Sequence, residues 1–414
     1  MDLTCEIIQE VIVKNMKKYF RHLTNPHPRE ILSLHTIRGI GIILVLLVHF
    51  THTVAKDAII VNPHLFLFFS NFSSALDAFF VLSGFLISEQ LFRAHKNGKD
   101  MSFKRFFRNR VLRIFPGYYF FITTIALLTF LQILLIENAI EKKGITDLSI
   151  LSAYIDLKSM FRASWADFVF VGNYIKNLHV HTWSLSVEEQ FYFCIPFFMT
   201  FVLFKYPKHT MTFLGSLYFI ALLFRLFYFY SDDVTNKFEK MYYSTETRYD
   251  AFIVGIIIAY WSQYKPEILK SKFLKSSITL PIFLLLIVLS HLIRKDDSFM
   301  AVTFKNNLIN LGFGSLVIAC LNLKDFSYNT VIGALYKSSM TLLARISFTI
   351  YLWHMTVLSI LGNLKLTKPD YLENSVFYII YFIGYMLLSI SVGVILYRVI
   401  EYPFIMIKDK HKAL

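Results

Sequence analysis

The chain has 414 residues, of which 56% are hydrophobic, 17% aromatic and only 17% charged, with a mean hydropathy of +0.52. So little charge on so much apolar chain excludes an ordinary soluble domain, and repeated apolar windows of about 18 residues or more imply an all-α polytopic membrane protein. The formal net charge of +14 does not argue for nucleic acid, because Lys and Arg gather in short stretches between apolar segments, where they set topology and meet an anionic membrane surface.

Residues 1–33 form a basic amphipathic segment in which apolar Ile7, Ile8, Val11 and Ile12 precede Lys14, Lys17, Lys18 and Arg21. The pattern suits either a helix lying on a membrane surface or a poorly ordered tail. It lacks the apolar core and small-residue cleavage site of a signal peptide, so the first span is expected to act as its own insertion signal. A membrane domain is expected over 34–404, followed by a short basic tail at 405–414. Within it about ten spans are predicted, near 37–54, 65–92, 112–136, 182–204, 210–230, 249–263, 276–293, 306–321, 339–362 and 375–400. With the amino terminus inside, the denser Lys and Arg stretches fall on the cytoplasmic side, and an even number of spans returns the basic tail to the cytoplasm. Cys5, Cys194 and Cys320 are few and scattered, so neither a disulfide framework nor a metal site is expected.

The first span, LHTIRGIGIILVLLVHF from Leu34 to Phe50, carries Arg38 and His49 eleven residues apart. At about 100° and 1.5 Å per residue they share one helix face roughly 16 Å apart, one near a surface and the other deep. An ionisable residue far inside an apolar segment is costly unless it faces the protein or a wet cavity, which makes His49 a functional candidate. Span 2 contains LDAFFVLSGFLIS, residues 76–88. Ser83 and Gly84 there permit close helix packing or leave room for a ligand, whereas the carboxylate of Asp77 needs a partner. Before span 3, KRFFRNRVLRIFPGYY (104–119) is read as a loop. Its Arg108, Arg110 and Arg113 serve either topology or the phosphates and adenine ring of a phosphorylated cytoplasmic donor, since Arg forks among Phe rings suit both parts.

Span 4 opens with HTWSLSVEEQFYF (181–193), descending from the outside. Glu188, Ser184 and Tyr192 share a face at four-residue spacing, while Glu189 points about 100° away. Helix rise lets Glu188 and His49 meet in the outer half of the membrane, where a carboxylate holds an imidazole in one tautomer and stabilises it on protonation. The alternative is a Glu188 that only bridges to an Arg. Further on, TETRYDAFIVG (245–255) puts Arg248 and Asp250 at the start of span 6, and YLWH puts His354 in span 9, where a lone His more often packs than reacts. Trp183 completes the candidate pocket.

Together, Arg38 with His49, FFVLSGFL (79–86), RNRVLRIFP (108–116), WSLSVEEQFY (183–192), TRYDAFIVG and YLWH resemble, in order, the acyltransferase-3 family of integral-membrane acyltransferases. The resemblance implies a ten-helix membrane domain that moves an acyl group, usually acetyl from acetyl-CoA, onto a hydroxyl of a surface polysaccharide, lipopolysaccharide or similar glycan. It assigns the essential histidine to His49, its partner arginine to Arg38, the family's Trp and Glu to Trp183 and Glu188, and the basic box to Arg108, Arg110 and Arg113. General-base catalysis by His49 and an acetyl-histidine relay both remain open. Many relatives add an extracytoplasmic SGNH hydrolase-like domain after the membrane part, whereas this sequence ends soon after span 10, so it is expected to be a stand-alone membrane domain of a bacterial inner membrane. A rival class is a transporter or flippase-like partner for a polysaccharide precursor, with Asp77, Glu188, Arg248 and His354 as a polar pathway; it predicts interrupted spans in two related halves, which are not evident.

Overall fold

The computed structural model describes residues 2–27, 30–54, 68–99, 101–143, 147–175, 178–323, 330–364 and 373–410, with side chains from Val13 onward except at 374 and 375. The side chains of Cys5, Ile7, Ile8, Val11 and Ile12, and the end of the tail at 411–414, lie outside the described residues. An amino-terminal helix α1 (Asp2–Thr24) precedes α2 (Leu32–Thr53), α3 (Ala75–Lys96), α4 (Phe103–Lys143) and α5 (Leu148–Ala163). There follow α6 (Trp183–Phe198), prolonged by a π turn to Leu203, then α7 (Thr210–Tyr230), α8 (Asp250–Tyr264) and α9 (Ser276–Leu292). The last four are α10 (Lys305–Asn322), α11 (Val331–Asn363), α12 (Asn374–Leu396) and α13 (Tyr402–Lys410).

Each of the ten expected spans falls on one of these helices, except that 65–67 of the second lie outside the described residues, and no strand occurs among the described residues. Six helical stretches are long and apolar enough to cross a membrane by length and composition, namely Leu32–Thr53, Phe68–Lys96, Phe103–Lys142, Pro207–Tyr230, Val331–Asn363 and Val376–Lys410. The protein is an all-α polytopic membrane protein.

Two boundaries move for identifiable reasons. The basic box expected in a loop is helical, because Ser102 accepts the Arg105 backbone N–H (3.3 Å) and starts α4 at Phe103. Likewise Thr330 caps α11 by accepting the Gly333 N–H at 3.0 Å, so that helix begins well before its apolar window. A hydropathy window registers only the membrane-embedded part of a helix, whereas a cap marks where the backbone begins to coil.

The chain divides into two compact units, residues 1–79 with 319–403 and residues 80–318 with 404–414. In the first, α11 packs against α1, α2 and α12. Thr349 of α11 donates to Glu401 at 2.5 Å, so Glu401 bridges locally. In the second unit, α3 and α8 cross at two glycines: a Cβ on Gly84 would lie 2.3 Å from the Phe252 carbonyl oxygen, and one on Gly255 would lie 2.2 Å from that of Val81. Those distances leave no room for a methyl group, so the small-residue reading of Gly84 holds. Gly84→Ala is expected to lower thermal stability in detergent by the roughly 1–3 kcal/mol typical of overpacking, or more since the obstacle is backbone; an unchanged melting temperature would contradict the close crossing.

Arg225 of α7 donates to Asp250 of α8 at 2.7 Å, with both side chains fully buried. Between α5 and α6 the chain is fastened by Tyr118 and Tyr119 of α4, which donate to the carbonyls of Asp167 and Phe168, both at 2.9 Å. Thr182 donates to the Asp167 carboxylate at 2.8 Å. The entry to α6 is fixed by Gln190, which donates to the Phe170 carbonyl and to Asn173.

Candidate active site

The first unit holds His49 on α2 and His354 on α11, with their ring centroids 4.9 Å apart and planes tilted by 53°. His49 is half-buried, while His354 is fully enclosed. The Nδ1 of His354 lies 2.6 Å from the Tyr351 carbonyl oxygen, one turn earlier on the same helix. A carbonyl only accepts, so Nδ1 carries the proton and Nε2 bears the lone pair in the neutral ring. Tyr385 of α12 donates to the His354 carbonyl at 3.3 Å, and Phe50, beside His49, packs against Tyr385 with centroids 6.0 Å apart. Thus the two imidazoles sit on rigid, mutually packed helices.

One turn beyond each histidine, Thr53 and Leu358 line a half-open, mainly apolar hollow of about 370 Å³ that also takes in Met355, Ser359, Gly362 and Asn363, with neither histidine in its wall. Hydroxyl and amide groups on its wall can hydrogen-bond a hydroxyl-bearing molecule. Arg38, half-buried, stands at the opposite end of α2 from His49. Asp77 is buried in the first turn of α3, where the helix dipole favours a carboxylate.

In the second unit Ser83 donates to Glu188 at 2.8 Å and Tyr192 donates to Ser83 at 3.0 Å. The expected face of α6 is therefore real, with Glu188 and Tyr192 converging on one serine of α3. Arg110 turns inward, its guanidinium 4.9 Å from the Tyr192 ring centre and 5.9 Å from that of Phe106. It also lies within electrostatic range of Glu188 and Glu189. Arg108 and Arg113 are exposed, so the basic box has one inward and two outward members.

Trp183, Phe80 and Tyr242 surround the buried Arg248, with ring centres 5.6, 5.8 and 5.0 Å from its guanidinium carbon. The ring faces offset part of the cost of taking this cation out of water. Asp250, two residues on, belongs instead to the Arg225 ion pair. Arg225 was missed from sequence, although a lone Arg within the apolar TMTFLGSLYFIALLFRLFYFY run is itself a signal that a buried acid faces it. Tyr242 and Tyr385 carried no such signal. His49 and Glu188 belong to different units.

A family model described as an acyltransferase domain matches residues 31–398. The chain belongs to the acyltransferase-3 family. O-acetyltransferase OatA of Staphylococcus aureus strain NCTC 8325 / PS 47 is 24% identical over 336 residues, which cover 79% of this chain and 52% of that protein. The strain COL form of OatA matches to the same extent. A further protein of strain COL with a provisional O-acetyltransferase name is 26% identical over 345 residues, 80% of this chain and 52% of its own. This acyltransferase-3 chain thus spans about half the length of the relatives it matches. No solved structure matches it significantly.

Proposed function

We propose that this acyltransferase-3 protein is a membrane-embedded O-acetyltransferase that moves acetyl from acetyl-CoA to a hydroxyl of a glycan such as a surface polysaccharide or lipopolysaccharide. The observation that carries the reading is the His49 and His354 pair, with a half-open, mainly apolar hollow one turn beyond it, inside the family-matched segment. His49 takes the proton of the acceptor hydroxyl as its oxygen attacks the thioester carbonyl; the carbon–sulfur bond breaks, and the proton passes to the departing CoA sulfur. His354 acts as a positioning residue. A neutral His354 with its lone pair on Nε2 can accept a hydrogen bond from His49 once that ring is charged.

Glu188 is the carboxylate this reaction uses, with Ser83 and Tyr192 fixing its rotamer. Arg38, Arg108, Arg110 and Arg113 serve the donor, the exposed pair meeting CoA phosphates and Arg110 standing behind them. The distribution of Lys and Arg supports both termini in the cytoplasm, the side that supplies acetyl-CoA, and the bacterial relatives support a cytoplasmic (inner) membrane of a bacterium as the location.

Mass spectrometry of surface glycans from cells with and without the gene tests the proposal. Loss of acetyl esters on deletion, restored by the wild-type chain and not by a His49 variant, is the expected result; unchanged acetylation defeats it. For the donor assignment, Arg108→Lys and Arg113→Lys are expected to raise the apparent KM for acetyl-CoA with little change in kcat, because Lys keeps the charge and loses the bidentate fork. Unaltered KM in both variants makes these residues topology determinants only.

A further inference from the structure

The family match begins at residue 31, which leaves α1 outside it, yet α1 is docked. Tyr19 donates to the Val394 carbonyl at 2.7 Å, His22 lies 2.9 Å from the Tyr397 hydroxyl, and Arg398 stacks over Tyr19 with its guanidinium carbon 4.7 Å from the ring centre. At the far end, Arg345 donates to the Asn25 carbonyl at 3.2 Å and to Glu30 at 2.9 Å. These contacts place α1 where α12 ends and α2 begins, at a level where spans enter or leave the membrane.

From Val13 onward the helix has three separate faces. Projected at about 100° per residue, Tyr19, Leu23 and His22 occupy one arc of roughly 100°, Val13, Met16 and Phe20 a second of roughly 60°, and Lys14, Lys17, Lys18 and Arg21 a third of roughly 100°. The first arc is docked, with Tyr19 2% and Leu23 0% exposed. The second is apolar and open, with Val13 44%, Met16 42% and Phe20 48% exposed. All four basic residues of the third are exposed. No acidic residue lies between Val11 and Thr24; the helix carries Asp2, Glu6 and Glu10 nearer its start, so its net positive charge is confined to its second half.

We propose that α1 lies in the membrane–water interface as a surface for net-negative phospholipid headgroups, with Val13, Met16 and Phe20 entering the acyl boundary and the Lys14, Lys17, Lys18 and Arg21 face holding the phosphates. A helix carrying four cations is too charged to span, and an apolar strip beside a cationic one is the arrangement that seats a helix along an anionic surface. The charge selects the occupant: a zwitterionic headgroup presents no net charge to the run of cations from Lys14 to Arg21. The docked arc keeps the helix attached to the bundle, so the lipid contact orients a fixed element and does not recruit a free one.

The test uses the full chain with Cys5, Cys194 and Cys320 changed to Ser and a spin label at Met16→Cys. It is reconstituted in vesicles of phosphatidylcholine alone or of an equimolar mixture with phosphatidylglycerol. Power saturation with oxygen and with a water-soluble nickel reagent then reports the depth of the label. Deeper immersion in the phosphatidylglycerol vesicles is expected, abolished when Lys14, Lys17, Lys18 and Arg21 are all changed to Gln. A parallel label at Leu387, an exposed apolar position on α12, verifies that the bundle of the Gln variant is still inserted. A label at residue 16 equally immersed in both vesicles, or in water in both, overturns the proposal.

Discussion

Replacing His49 with alanine is expected to abolish acetyl transfer, with a loss at the scale of about 10² to 10⁴-fold that a positioned general base contributes. The fold should survive, because the ring is half-buried and its contact is with another polar ring, so its removal takes little apolar packing from α2. The measurement is acetyl-CoA-dependent transfer by purified protein, with monodispersity in detergent as the control for folding. A variant keeping more than half the wild-type rate rules out His49 as base or nucleophile. His354→Gln is the companion change, since an amide still donates to the Tyr351 carbonyl. It is expected to lower kcat by less than loss of His49 does and to alter the pH–rate profile, a readout that a purely packing histidine would leave unmoved.

The helices were legible because membrane spans announce themselves by composition, and the described parts of all ten expected segments fall on helices. Their ends were less so, since Ser102 and Thr330 start α4 and α11 through caps in polar sequence that a hydropathy window ignores. At the candidate site, periodicity sufficed to bring Glu188 and Tyr192 onto one face, and the small residues at 83 and 84 pointed to a close helix contact. What periodicity cannot supply is the partner across helices. Nothing in YLWH says that His354 will lie against His49, and Asp250 looked like a pocket acid until Arg225 was seen beside it. Both partnerships depend on rotation and tilt of helices far apart in the chain, which are set by packing and not by local pattern.

Glu188→Gln is the second change expected to be severe. Its carboxylate accepts from Ser83, which in turn accepts from Tyr192, so one oxygen is held by a directed chain of hydroxyls and the rotamer is fixed. An amide at this position keeps the shape and can still accept from Ser83, but it carries no negative charge to stabilise a cation formed in the reaction. Loss of most activity with normal folding is therefore expected, whereas Ser83→Ala, which frees the rotamer and keeps the charge, should cost less. Whether Glu188 and His49 act as one unit is read from the double variant. If they do, Glu188→Gln adds little once His49 is alanine, because the group it serves is gone; independent effects that multiply in the double variant would separate the two roles. Glu189→Gln provides the contrast. That residue lies about 100° around α6 from Glu188 and is within electrostatic range of Arg110. Its loss should fall on the affinity for acetyl-CoA more than on kcat. A Glu188→Gln variant with unchanged kcat and KM would leave Glu188 as a bundle-bracing acid and move the search for the catalytic carboxylate to Asp77, which is buried in the first turn of α3.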